Sequence, residues 1–303
     1  VGSEMCIRDS YTQFLNARGG IEADVTVTRL SETAFLVVTP AATRLADETW
    51  MRRHLEGAQA VITDVTAGEG VLAVMGPRSR DLLRAVSPDD FSNDAFPFGT
   101  AREIEIGLGH ARAHRVSYVG ELGWEIYASA DMAAHVFDTL WEAGQDHGLT
   151  LCGLHAMDCG RAEKAFRHMG HDITCEDHVL EAGLGFAVKT GKGCDFNGRD
   201  AVLAKREAGL ARRLVQFRLT DPEPLLYHNE PILRDGQIVG HLSSGAYGHH
   251  LGGAIGLGYV PCAGESAEDV LASGYEIDVA GRRVVAEVSL KPMYDPGGAR
   301  PKG

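Results

Sequence analysis

Apolar and polar residues alternate along Val25–Leu30, and Gly19-Gly20 separates that run from an earlier extended stretch. The chain therefore reads as opening on two strands joined by a turn. The period then lengthens. Ala42–Leu55 reads as a helix, Gly70–Met75 as a short apolar strand stopped by Gly76-Pro77, and Arg78–Val86 as a return to helical spacing. Strands are expected at Arg102–Ile106, Ala111–Tyr118 and Trp124–Ser129. Met132, Val136, Phe137, Leu140 and Trp141 then share one face of an amphipathic helix. A second such helix is expected over His155–Arg167, with Ala156, Cys159, Ala162 and Phe166 facing the same way.

The character changes near Gly191. Gly191–Asp200 is a Gly-rich connection and Asp200–Ala208 a short charged helix. Beyond Arg213 the segments Leu214–Leu219, Pro231–Leu233, Ile238–Ser244, Ala254–Val260, Tyr275–Val279 and Arg283–Leu290 all read as short strands, with hairpin turns at Asp235-Gly236 and Gly281-Arg282. Strands at that spacing predict a small barrel or sandwich. The expected organisation is α+β: a unit at 11–208 followed by an all-β unit at 209–296 and a tail at 297–303. Val1–Ser10 lacks the apolar core of a signal peptide and continues no later pattern, so 1–10 reads as a foreign leader.

Charge narrows the partners. The 303 residues carry a formal net charge of -13, which disfavours nucleic acid and anionic lipid at long range, and no apolar run approaches the ~20 residues of a membrane span. An anionic small molecule stays possible, because a few local Arg side chains can outweigh the global field. Cys6, Cys152, Cys159, Cys175, Cys194 and Cys262 are scattered and form no C-x-x-C pair. They read as free thiols of a reducing compartment, cytoplasmic in a bacterium or the mitochondrial matrix in a eukaryote.

Generic motifs fail in context. Gly253–Gly258 (GAIGLG) lies among strands with no helix after it, so it is no dinucleotide turn. In Gly191-Lys192-Gly193 the lysine is not followed by Ser or Thr, as a phosphate loop requires. His168, His171 and His178 sit among Asp172, Glu176 and Asp177, but without H-E-x-x-H they read as hydrogen-bonded groups at a helix end, and no metal is expected. Ser243-Ser244-Gly245 lacks the flanking glycine of a nucleophile elbow.

Four polar residues remain in apolar surroundings. Asp24 follows Ile21 at the start of a strand. It is either a solvated turn acid or a partly desolvated carboxylate able to steady a developing cation. Tyr118 and Glu125 bracket the Gly-rich bend Val119–Trp124 (VGELGW), where backbone can approach a flat ligand and a Glu can accept two N–H donors; the plain alternative is a hairpin with a surface acid. Arg161 stands beside Asp158 and Glu163 on a predicted helix, an arrangement that also reads as a surface ion pair.

Taken together, Tyr11–Leu30 (YTQFLNARGGIEADVTVTRL), Arg115–Tyr127 (RVSYVGELGWEIY), Arg161–Gly185 (RAEKAFRHMGHDITCEDHVLEAGLG), Asn197–Ala201 (NGRDA), Val239–Val260 (VGHLSSGAYGHHLGGAIGLGYV) and Ser289–Asp295 (SLKPMYD) resemble the aminomethyltransferase (glycine-cleavage T-protein) superfamily. They resemble most closely the folate-binding half of dimethylglycine and sarcosine dehydrogenases. The resemblance implies a T-protein-like folate-binding fold of mixed α/β domains followed by a small β-barrel-like domain. It implies tetrahydrofolate as cofactor, with Asp24 the catalytic acid near the folate nitrogens. Tyr118, Glu125 and Arg161 become pterin contacts, Glu125 through paired hydrogen bonds to the amino-pyrimidine edge.

The implied chemistry is capture of a one-carbon unit as 5,10-methylenetetrahydrofolate, after an FAD-bearing oxidase half, in the same or a partner chain, has oxidised an N-methyl amine. That half, and the start of the family's folate unit, are expected to be missing from this sequence. Ala23-Asp24 stands where glycine-cleavage members carry two adjacent acids. Lys192-Gly193-Cys194 begins, and Gly198-Arg199-Asp200 fails to complete, the K-G-C-x-x-G-Q-E signature of an iron–sulfur-maintenance branch. Two alternatives stay open, a free-standing aminomethyltransferase and a folate-binding module without turnover. An acid at position 24 has little use in a pure binder.

Overall fold

The computed structural model describes residues 9–191 and 195–303, so Cys6 and Lys192-Gly193-Cys194 lie outside the described residues. Strands β1 (Asp9–Leu15) and β2 (Ile21–Arg29) pair antiparallel around the Gly19-Gly20 turn, with Gln13 opposite Asp24 and Tyr11 opposite Thr26. Period 2 sorts β2 into two faces. Ile21, Ala23 and Val25 are buried on one, and Asp24, Thr26 and Thr28 share the other. A third strand, β3 (Phe35–Val38), pairs with the free side of β2. Sequence reading missed it because FLVV is four residues long and does not alternate. Helix α1 (Arg44–Arg53) follows and buries only Asp47.

A second layer begins with β4 (Glu69–Met75) and α2 (Ser79–Val86), continues through β5 (Ala101–Ile106), β6 (Gly109–His114) and β7 (Gly123–Ser129), and ends at α3 (Ala133–Gly144). Its sheet runs β4-β7-β6-β5, all antiparallel. Trp124, Ile126 and Ala128 point to one face of β7, into a core with Phe91, Phe96, Val136 and Leu140. Glu125 and Tyr127 point to the other face. There Thr28 of β2 approaches the His114 ring at 3.4 Å, so that side looks toward the first sheet. On α3 the expected apolar face is narrower than the sequence suggests: Phe137 and Trp141 lie at its rim and stack on each other, ring centroids 6.4 Å apart.

Helix α4 (Leu154–Glu163) departs from expectation. It stops well short of Arg167, because Ala165 adopts a left-handed φ of 51°. Burial runs along its axis and not around it: Ala156 is exposed, whereas Arg161 through Ala165 are all buried. After α5 (Arg199–Ala208) the chain forms β8 (Arg212–Leu219), β9 (Pro231–Arg234), β10 (Gln237–Gly248), β11 (Gly253–Pro261), helix α6 (Ala267–Ala272), β12 (Tyr275–Val279) and β13 (Arg282–Ser289). These strands close into a barrel, β10-β11-β8-β13-β12-β9, around Val215, Phe217, Ile232 and Ile277. The first hairpin turn is Asp235-Gly236, with φ of 51° and 79°. The second centres on Ala280-Gly281 (φ 53° and 88°), one residue earlier than expected, because a two-residue turn of this hand needs positive φ at both central positions. Within GAIGLG, a Cβ on Gly258 would lie 2.5 Å from Ile232 Cδ1 and 2.9 Å from the His241 carbonyl, so the glycine serves strand packing.

The buried end of α4 docks on the barrel. Gln216 Nε2 donates to the Ala162 and Glu163 carbonyls, at 2.7 and 3.1 Å. The buried Glu163 carboxylate accepts from the His250 amide at 2.6 Å and lies 2.6 Å from His250 Nδ1. The terminal segment, with its short helix α7 (Ala299–Lys302), returns to the second layer. Arg115 there donates to the Lys302 carbonyl at 2.6 Å, and Tyr294 Oη donates to Glu121 at 2.8 Å.

Ala165 holds a conformation that costs an L-residue about 1–2 kcal/mol, while glycine would lose about 0.5–1 kcal/mol of chain entropy there. Ala165→Gly should therefore leave the fold unchanged and stabilise it by at most about 1 kcal/mol, seen as a higher denaturation midpoint at unchanged slope.

Candidate functional site

Four residues were singled out from sequence, and the structure treats them differently. Asp24 projects from the polar face of β2 and is no solvated turn acid. Gln13 Nε2, directly across the strand pair, donates to its Oδ1 at 2.7 Å, and the Tyr11 hydroxyl lies on the same carboxylate. Burial pushes the Asp24 carboxyl above its ordinary range; the bonds from Gln13 and Tyr11 and the nearby Arg167 guanidinium pull it back, and Asp47 on α1 pushes it up. The side-chain oxygen of Gln13, Oε1, is buried without a partner among the described residues.

Tyr118 follows β6 in the segment leading to the Gly-rich bend, and is not the end of a strand as expected. Its hydroxyl donates to the Arg167 carbonyl at 3.2 Å, its ring stacks on Phe166 at 6.3 Å, and burial pushes its pKa up to about 12. Asp24, Arg161 and Asp172 all bear on it electrostatically. Gly120, with φ of 74°, leaves the room that the Lys164 stem fills: a Cβ there would sit 2.2 Å from Lys164 Cγ. Lys164 in turn reaches the Asp295 carbonyl at 2.6 Å. The bend is thus fastened to the residues that follow α4.

Glu125 sits half-buried on β7 and accepts from Tyr127 Oη at 2.7 Å. It shares a side of its sheet with His114, the residue that Thr28 approaches, and none of its hydrogen bonds or ion pairs among the described residues reaches Asp24, Tyr118 or Arg161. Arg161 is no surface ion pair. At 4% exposure it donates to Asp172 at 2.7 Å, Asp158 at 3.0 Å, Ser244 Oγ at 2.9 Å and the Phe166 carbonyl at 3.4 Å. Its guanidinium is engaged chiefly by the protein itself. Asp24, Tyr118 and Arg161 therefore lie in one electrostatic neighbourhood, and Glu125 stands on a separate sheet.

Sequence reading missed four members of this neighbourhood. Tyr11 and Phe186 stack at 6.2 Å, and Phe186 is 71% exposed, an aromatic wall beside the Asp24 carboxylate. Gln13 and Arg167 complete the polar lining. The pairing of β1 with β2 would have found Tyr11 and Gln13, since both point to the same side as Asp24. Of the histidines, His168 and His171 stack at 4.5 Å, and His178 Nδ1 accepts from the Leu180 amide at 3.2 Å; the described residues hold no group of three His, Cys, Asp or Glu able to bind a metal ion. Ser243 and Ser244 are occupied with Asp172 and Arg161. Cys152, Cys159, Cys175 and Cys262 are free thiols, and among the described residues no helix is long and apolar enough to cross a membrane.

A carboxylate on the polar face of a strand, an aromatic border and a following barrel lead to a family. The GCVT N-terminal domain family matches residues 7–192 and the glycine cleavage T-protein C-terminal barrel domain family matches residues 212–295, and the chain belongs to this T-protein family. The glycine cleavage system aminomethyltransferase T of Bartonella henselae superposes with a TM-score of 0.82 at 25% identity, covering 95% of this chain and 76% of that one. The 4-methylaminobutanoate oxidase (formaldehyde-forming) of Paenarthrobacter nicotinovorans is 45% identical over 97% of this chain and 35% of its own length. Human mitochondrial sarcosine dehydrogenase is 35% identical over 97% of this chain and 34% of its own. The chain thus spans about a third of the length of these two relatives.

Two outcomes follow. Arg161→Ala leaves the fully buried Asp172 without its counter-charge and should cost ~3–5 kcal/mol, read by chemical denaturation. Because the folded-state pKa of Asp24 lies above its unfolded value, the folded state binds more protons in the window between the two, and stability falls as pH rises through it. Asp24→Asn should therefore raise the melting temperature at neutral pH, with the gain disappearing below the unfolded pKa.

Proposed function

We propose that the chain is the tetrahydrofolate-binding portion of an FAD-dependent N-methyl amine dehydrogenase, where it captures the one-carbon unit as 5,10-methylenetetrahydrofolate. The observation that carries this reading is the acceptor-rich recess at Asp24. It offers a desolvated carboxylate and the orphaned Gln13 Oε1, with Tyr11, Phe186 and Tyr118 along its sides. That donor-poor, aromatic-walled set fits a flat heterocycle rich in N–H groups, such as a reduced pterin. An unpartnered buried acceptor is costly, and a ligand N–H would satisfy it.

When bound, tetrahydrofolate supplies the nucleophilic nitrogens that take up the carbon. The chain's own residues orient and stabilise. Tyr118 and the aromatic wall fix the ring plane, Glu125 accepts from its amino edge, and Asp24 keeps a negative charge where positive charge develops. Relatives named for methylaminobutanoate and sarcosine oxidation fit a division of labour in which another half selects the amine and this one receives the carbon.

Anaerobic calorimetric titration with a reduced folate tests the proposal. Glu125→Ala should weaken binding by about tenfold or more, since charge-assisted bonds to the pterin edge go unmade. Asp24→Asn should weaken it less but slow methylene-folate formation when a competent FAD half is supplied. Equal binding losses in the two variants, or no folate binding by the folded chain, would count against these roles.

A further inference from the structure

The first two sheets repeat one plan. In the second layer β5, β6 and β7 run as consecutive antiparallel neighbours and lead into α3; in the first, β1, β2 and β3 run the same way and lead into α1. The second layer has two further parts. Strand β4 pairs antiparallel along the outer edge of β7, from Glu69 opposite Ser129 to Met75 opposite Gly123. Helix α2 then packs on α3, with Leu82 and Leu83 in one core with Val136 and Leu140.

Burial records the difference. On β7 only Glu125 and Ser129 escape burial, whereas no residue of β3 is buried and Phe35 is 57% exposed. Among the described residues the side of β3 away from β2 pairs with no strand. An open apolar edge is a template for another strand, and proteins that keep one free guard it with charge, proline or a bulge. Phe35–Val38 carries none of these. Helix α3 buries Val136, Leu140 and Gly144, while α1 buries only Asp47 and leaves Leu45 exposed. At ten residues α1 is shorter than the ~12–15 that hold a helix in water without packing. A groove beside it is lined by Glu22, Leu45, Ala46, Thr49, Trp50 and Arg53. The loop after α1 is fastened alongside, Arg52 donating to the Ile62 carbonyl at 3.1 Å and Arg44 pairing with Asp64, and it presents Val61 and Val65 to solvent.

We propose that the outer edge of β3 and the open side of α1 form one docking surface for a polypeptide segment made of an apolar strand followed by a short amphipathic helix. The strand pairs antiparallel with β3, as β4 does with β7, and takes up its free N–H and C=O groups. The helix lies in the groove and covers Leu45 and Trp50, as α2 covers α3. The template for this partner is in the chain itself, Glu69–Val86 (EGVLAVMGPRSRDLLRAV), where Gly76-Pro77 turns the strand into the helix. This chain covers 76% of the superposed aminomethyltransferase T, and the remainder of that protein is longer than such a segment. The proposal does not rest on the folate reading.

The test uses the chain as it stands and a synthetic peptide with the sequence of Glu69–Val86, with a scrambled peptide of the same composition as control. Binding is read by backbone amide exchange and by Trp50 emission, assigned through its loss in Trp50→Phe. The Glu69–Val86 peptide should slow exchange of the β3 and α1 amides about tenfold or more and shift Trp50 emission to the blue, saturating below about 1 mM. The scrambled peptide should do neither. Phe35→Lys and Leu45→Glu replace exposed side chains. Each should hold the melting temperature of the free chain within about 2 °C and weaken peptide binding about tenfold. No protection at about 1 mM peptide would overturn the proposal, as would binding that both variants leave unchanged. Protection that arises without peptide as the chain is concentrated, with a dimer in sedimentation velocity, would overturn it in favour of a second copy at the same edge.

Discussion

The arrangement hangs on one buried charge. Asp172 is fully buried, and its carboxylate collects Arg161 Nη1, the His168 amide and Ser243 Oγ, while its carbonyl accepts from Tyr259 Oη. Arg161 then passes from that carboxylate to Ser244, so α4, the loop after it and strands β10 and β11 meet on one ion pair. Such a pair repays its desolvation only when its remaining hydrogen-bonding capacity is filled. Here it is filled largely from the barrel side. The barrel is therefore a structural condition for the end of α4, and the residues just past α4 supply three of the contacts that fasten the Tyr118 bend: the Arg167 carbonyl, the Lys164 stem and the aromatic ring of Phe166.

This dependence explains what sequence reading reached and what it missed. Strands that bury one face announce themselves by period 2, so β2, β7 and the barrel strands were legible, as was the change from α+β to all-β. The FLVV strand was not, because a short unbroken apolar run has no period. The end of α4 was misjudged for a different reason. Alanine is the strongest helix former, yet Ala165 takes a left-handed turn whose carbonyl accepts from Arg167, a tertiary contact the local sequence does not announce. Arg161 looked like a surface ion pair because Asp158 is three residues away; the partner that decides its burial, Asp172, is eleven residues away across a loop.

The recess shows the same division between local and distant information. Asp24 stood out because an acid interrupts an apolar strand, and Tyr118 and Glu125 because a glycine-rich bend separates them. Gln13 and Tyr11 carry no such mark. They matter only through the register that sets Gln13 across from Asp24, and register is a property of two strands together. Arg167 is less visible still, since nothing in the sequence tells a half-buried arginine held by carbonyls from an exposed one.

The recess is also unfavourable to the fold by itself. A carboxylate raised by burial, a glutamine oxygen without a donor and an exposed phenylalanine are each features that packing for stability alone would remove. They coincide at one place, on β1, β2 and the loop at 186, while the cost is borne by the ion pair and barrel contacts behind them. A fold selected only to dock its layers would show the second set without the first. The pattern instead separates a support, where Arg161 is matched by Asp172 and Glu163 is hydrogen-bonded by His250, from a face whose hydrogen-bonding capacity is left for a molecule that the chain does not itself supply.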